Sequence, residues 1–97
     1  MGKVKKPSNY LKAKKLDKRC RFPYCMETMY PLETHHIIPR SQGGDDELDN
    51  LISLCFYHHQ MITDNKISDY FILSRLENSP GFRWQKGLEY WAKRKKI

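Results

Sequence analysis

Apolar positions change their spacing several times along this 97-residue chain, and each change predicts a different element. Over residues 3–19, lysines alternate with a few isolated apolar side chains (Tyr10, Leu11, Leu16). That pattern reads as a flexible or weakly helical basic arm, with Pro7 interrupting its start. Turn-forming residues dominate from Arg19 to Glu33, where Pro23 and Pro31 limit any helix. Residues 20–25 are expected to form a knuckle and 26–30 a short strand. The β-branched and histidine run Thr34–Ile38 predicts a second strand, ended by Pro39. It leads into a loop, Arg40–Glu47, in which Gly43-Gly44 allow positive φ and Asp45 and Asp46 add turn chemistry.

Beyond the loop the period becomes helical. Leu51, Leu54, Cys55, His58 and His59 fall at i, i+3, i+4, i+7 and i+8, predicting a helix capped by Asp49 or Asn50. The apolar stretch 67–78 predicts another helix, with Ser68 as its N-cap. Ser79-Pro80 reads as the N-cap and first residue of a third, on which Trp84, Leu88 and Trp91 recur at i, i+4 and i+7. Gly87 weakens that helix by ~1 kcal/mol relative to alanine. The tryptophan stripe suits a packing face, or alternatively a base-stacking surface. The expected architecture is a small α+β domain.

Composition adds constraints. Ninety-seven residues, 39% hydrophobic and 30% charged, give one domain with a thin core that needs a staple. No stretch approaches the ~20 apolar residues of a membrane span. No apolar region follows the basic N-terminus, so a cytoplasmic protein is expected. Three cysteines leave one over in any disulfide scheme, so a metal site with a histidine as fourth ligand is the better reading. The net charge of +7 is distributed unevenly. Residues 1–19 carry eight Lys/Arg against one Asp, and 80–97 six against one Glu, whereas 20–79 hold four basic and nine acidic groups. Basic ends flanking an acidic centre suit a polyanion such as DNA.

The candidate chemistry lies in that centre. Cys20-x4-Cys25 and Cys55-x2-His58 look like two halves of a tetrahedral Cys3His zinc site. His58 and His59 stand three and four residues beyond Cys55, so a helix alone lets either reach the ion. His35 and His36 are neighbours on a predicted strand and point to opposite faces, so they serve different tasks. A neutral imidazole with a pKa near ~6.5 suits proton abstraction from water. Asn50 reads as a residue that positions the Pro39–Glu47 loop, or as a helix cap. Arg40 reads as a clamp for a phosphate oxygen, or as an ordinary surface arginine.

The run His35-His36-Ile-Ile-Pro39-Arg40-Ser-Gln-Gly43-Gly44, followed by Asn50 and then Cys55-Phe-Tyr-His58-His59, resembles the HNH nuclease family. Its histidine–asparagine–histidine signature is spread over about this distance, and the resemblance covers roughly residues 20–63. It implies a ββα-metal domain with a structural zinc knuckle and additional C-terminal helices. Residues 1–19 would then be a basic arm, 20–66 the nuclease core, and 67–97 C-terminal helices of the same domain. Carried over, His35 and His59 hold a catalytic divalent metal (Mg²⁺, Mn²⁺ or another), and His36 is the general base. Asn50 positions it, Arg40 contacts phosphate, and Cys20, Cys25, Cys55 and His58 hold structural Zn²⁺. Many relatives have a further ligand four residues after the last histidine, where this chain has Thr63. The implied activity is metal-dependent DNA cleavage to 5′-phosphate and 3′-hydroxyl ends, by a monomer or weak homodimer. Phages and mobile elements carry short proteins of this kind. The alternative is a non-catalytic, zinc-stabilised DNA- or RNA-binding module.

Overall fold

A computed structural model describes residues 5–27, 29 and 31–94. Its elements are α1 (Pro7–Asp17), β1 (Glu33–His36), β2 (Leu51–Leu54), α2 (Phe56–Thr63), α3 (Asp69–Leu76) and α4 (Gln85–Arg94). Two 3-10 turns, Arg40–Gln42 and Leu48–Asn50, shape the β1–β2 connection. The strands form one antiparallel pair in which Glu33 faces Leu54, His35 faces Ile52 and His36 faces Leu51. The expected α+β class and strand–strand–helix order are present, but several elements lie elsewhere along the chain than expected.

The first shift concerns residues 51–54, expected in a helix and found in β2. Four consecutive buried residues, Leu-Ile-Ser-Leu, are compatible with either period when read locally. Pairing with β1 and cover on both faces decide for the strand: α1 packs on one side and the core helices on the other. The helical pattern is real only from Cys55 onward, which serves as the N-cap of α2. The other predicted strand, 26–30, falls partly on residues outside those described; Met26, Glu27 and Met29 are not in a strand.

The second correction is the basic arm. Its first four residues lie outside the described ones, but Pro7–Asp17 form a regular helix. Pro7 starts this helix, since a proline at the first position lacks only an N–H that would go unpaired anyway. Ala13 and Asp17, one turn apart, are buried against β2. Asp17 accepts hydrogen bonds from the Ser53 N–H (2.9 Å) and from two nitrogens of Arg83 (2.7 and 3.2 Å), joining α1, β2 and the segment before α4.

Ser68 caps α3 as expected, accepting from the Phe71 N–H at 3.0 Å. Ser79-Pro80 does not start α4, which begins five residues later. Backbone bonds from Ser79 N to Leu76 O and from Phe82 N to Ser79 O instead fold residues 77–82 into turns. Trp84 and Leu88 are buried, and Trp91 is half-buried. The indoles donate to Leu51 O and Ile37 O, both at 2.7 Å, so the stripe is a packing face. Gly87 has a packing reason, because a Cβ there would lie 2.4 Å from Ile37 Cγ2. Of the basic C-terminal end, Lys93 and Arg94 belong to α4, and residues 95–97 lie outside those described.

Candidate active site

The knuckle forms because Pro23 and Tyr24 occupy the corners of a tight turn. Cys25 N–H bonds Phe22 O at 3.0 Å, and Tyr24 takes a positive φ of 64°. This is the type II pattern, with proline second and a left-handed residue third. The turn brings Cys20 and Cys25 to the start of α2, where Cys55 and His58 sit within one helical turn. All four ligand atoms lie within 4.8 Å of one another. Cys25 and Cys55 sulfurs are 3.9 Å apart, and His58 Nδ1 lies 3.3 Å from Cys55 and 3.7 Å from Cys20. Two sulfurs at ~2.3 Å from one tetrahedral ion stand ~3.8 Å apart, so the group fits a metal such as zinc. Phe22 stacks on the His58 ring at 3.9 Å, fixing its plane. Burial pushes the His58 imidazole down, favouring the neutral ligand form. Burial also pushes the Cys20 thiol up to about 12, so a cation is what would draw out the thiolate.

Strand alternation separates the histidine pair. His35 faces α2 and α3: its Nε2 is 2.6 Å from Asp69 Oδ1, and its ring meets His59 edge-on at 5.2 Å. His59 Nδ1 lies 2.6 Å from Glu33 Oε1. Two imidazoles and two carboxylates thus gather at one end of the sheet. Among the described residues, though, only the cysteine–histidine group brings three or more possible ligands within 4.8 Å. The Thr63 hydroxyl donates to the His59 carbonyl at 3.1 Å, along its own helix.

His36 faces the other way, toward the loop and α1. Its Nε2 is 2.8 Å from Asp46 Oδ1, which also receives Arg40 Nη1 at 2.7 Å. Asp46 is fully buried, and its second oxygen accepts from the Lys6 N–H (2.8 Å) and the Tyr10 hydroxyl (3.1 Å). Burial by itself would raise the Asp46 carboxyl. The bonds from His36, Lys6 and Tyr10, with Arg40 alongside, outweigh it and hold the group well below the usual carboxylate range. Asp46 is therefore a fixed anion that orients His36 through one ring nitrogen.

Asn50 pins the loop. Its Oδ1 accepts from Ile38 N–H (2.8 Å), and its Nδ2 donates to Ile38 O (3.1 Å) and Asp45 O (2.9 Å). It is 1% exposed and ends the 3-10 turn before β2, so its amide holds the loop rather than capping a helix. Gly43 adopts the expected positive φ of 93°, while Gly44 has a different reason: a Cβ there would lie 1.7 Å from Ile38 O.

Sequence reasoning missed Glu33, Asp46 and Asp69. Only Glu33 carried a usable signal, since alternation puts residues 33 and 35 on one face of a strand. Asp46 read as a turn former, and Asp69 fell unremarked within the 67–78 helix.

Residues 20–65, which hold both sites, match the family model for HNH endonuclease. This segment belongs to the HNH family. Asp69, Tyr10 and Lys6 lie outside it, so the carboxylate on His35 and two of the donors that hold Asp46 are supplied by flanking chain. "Probable mobile endonuclease C" of Enterobacteria phage T4 is 54% identical over 33 residues. That alignment covers 34% of this chain and 16% of the phage protein, so the chain spans under a fifth of that relative. No solved structure gives a significant match. Among the described residues, no helix is long and apolar enough to cross a membrane.

Proposed function

We propose that this chain is a metal-dependent DNA endonuclease that hydrolyses phosphodiesters to 5′-phosphate and 3′-hydroxyl ends. The observation that carries this reading is the split histidine pair. His35 gathers with His59 beside two carboxylates, while His36 is held apart by the buried anion Asp46. Binding alone has no need for such a division.

In this reading His35 and His59 hold the catalytic divalent ion, Mg²⁺, Mn²⁺ or another. Asp69 and Glu33 orient their rings, as carboxylates commonly do for metal-bound histidine. Such an ion supplies charge stabilisation at the phosphoryl and departing 3′ oxygens. His36 accepts the proton of the attacking water. Its Nε2–H is spent on Asp46, which leaves the Nδ1 lone pair for that task. Arg40, anchored to Asp46, places a cation next to the base, and Asn50 keeps the loop that carries Asp46 in register. One such site cuts one strand, so a monomer nicks and a double-strand cut requires a second copy or a second encounter. The setting we infer is the cytoplasm of a cell hosting a phage or mobile element.

The test is supercoiled plasmid incubated with the protein under Mg²⁺, Mn²⁺ or no added metal. Metal-dependent open circles are expected, with slow progress to linear DNA. Plasmid that is shifted but uncut under every metal would overturn the nuclease in favour of a binding module.

Cys20, Cys25, Cys55 and His58 hold structural zinc in the same reading. Because metal binding by such a group is coupled to folding, stripping the ion or making Cys55→Ser should abolish the cooperative melt. Metal analysis should show about one zinc per chain in the parent. A stripped protein that melts at the parent temperature would refute a structural ion.

A further inference from the structure

A cleft of about 710 Å³ opens along the outer side of the knuckle, with Cys20 and Cys25 in its wall, and the charged side chains around them have no role in the reading above. That volume falls in the ~300–1,000 Å³ range of ligand pockets. Arg19, Arg21 and Arg75 line it, together with Phe71 and Tyr24. No acidic residue lines it. Among the described residues none of the three arginines makes an ion pair. Segment 20–79 carries only four basic residues against nine acidic ones, and two of the four, Arg21 and Arg75, meet here. Arg21 Nε is buried with no hydrogen-bond partner, a costly state for a charged donor unless something completes it. Arg75 lies over the ring of Phe71, another lining residue, at 4.8 Å, which restrains its guanidinium. Tyr24, also in the lining, is fully exposed.

We propose that this cleft holds the sugar–phosphate backbone of the DNA strand flanking the cut, with Arg21 and Arg75 on phosphate oxygens and Arg19 at the entrance. This rests on the nuclease reading and adds a substrate-binding site to it. Helix α3 links the two places, since Asp69 in its first turn touches His35 and Arg75 lies in its last. Six residues of helix span ~9 Å. Phosphates of one strand rise ~3.4 Å apiece along the duplex axis, so the cleft lies about three nucleotides from the histidines. The planar fork of arginine matches phosphate oxygens in pairs, and the site uses arginine throughout although lysine predominates at the chain's N-terminal end.

The test compares the full-length parent with the double variant Arg21→Gln/Arg75→Gln. Binding to a fluorescent 20-base-pair duplex is followed by anisotropy across a salt series, without added catalytic metal. Each lost phosphate contact lowers the slope of log K against log salt by ~0.9, so a loss of ~1.8 is expected. Affinity at 0.1 M salt should fall roughly tenfold or more. A charge-matched control, Lys66→Gln/Lys93→Gln, should change the slope by clearly less. An equal slope for parent and double variant, or an equal loss in the control, would overturn the assignment. Should the double variant lose its zinc or its melt, the exposed Arg19→Glu provides the same reading: no loss of slope there overturns the cleft. A parent that neither binds nor nicks DNA would sink the nuclease reading, whereas a parent that does both alongside an unaffected variant would sink the cleft alone.

Discussion

His36→Ala is expected to lose 10²–10⁴-fold in plasmid nicking, the usual contribution of a positioned general base. Zinc content and DNA affinity should stay close to those of the parent. The structure explains why the loss should be confined to turnover. His36 sits at the edge of the sheet with its side chain 22% exposed, so truncation opens no cavity in the core. Asp46, deprived of the imidazole, keeps Arg40, the Lys6 N–H and the Tyr10 hydroxyl. The buried anion therefore stays paired and the loop stays in place. On the other face of β1, His35, His59, Asp69 and Glu33 do not touch the altered side chain. Nicking assays on matched, zinc-loaded preparations decide the matter. A His36→Ala protein that cuts at the parent rate would show that the His36–Asp46 contact serves the fold and that the water is activated elsewhere.

Asp17→Ala should have the largest effect on stability, about 3–5 kcal/mol, because it strands one half of a buried ion pair. Asp17 is 5% exposed and ties three parts of the fold together: it ends α1, bonds the β2 backbone at Ser53, and clamps Arg83 ahead of α4. Arg83 in turn donates to Leu48 O and Leu51 O, both 2.9 Å away. Removing the carboxylate leaves a half-buried guanidinium without its counter-ion and the Ser53 N–H without its acceptor. Domains of this size have a total stability of only ~5–15 kcal/mol, so the variant should be largely unfolded on mild heating. Denaturant midpoints of Asp17→Ala and of the exposed Lys12→Ala provide the comparison, and the lysine variant should lie within about 0.5 kcal/mol of the parent. If Asp17→Ala also lay within that margin, α1 would be a dispensable arm, as its lysine-rich sequence suggests.

These two expectations depend to different degrees on what the chain reveals locally. That His35 and His36 meet different surroundings was legible from sequence, because adjacent residues on a strand point to opposite faces. The short Cys20–Cys25 and Cys55–His58 spacings were legible for a similar reason, since ligands that bite one ion must lie close along the chain. Ser68 could be read as a cap because a cap acts within three residues. The Asp17–Arg83 pair spans 66 positions, and no local pattern marks either partner. Residues 51–54 show the same limit at shorter range. Their apolar spacing fits a helix as well as a strand, and β1 and α1, which settle it, are distant in sequence.

By itself, then, the sequence determined the α+β class, the Cys3His group, the divided histidine pair and the cap of α3, all of which rest on periodicity or on spacings of a few residues. Only the tertiary structure decided that Leu51–Leu54 are a strand, that the basic arm is a docked helix, and that Glu33, Asp46 and Asp69 are the partners of His59, His36 and His35. A carboxylate looks the same in sequence whether it is solvated or buried against an imidazole. Its role is set by the long-range packing that removes water from around it and leaves it one partner.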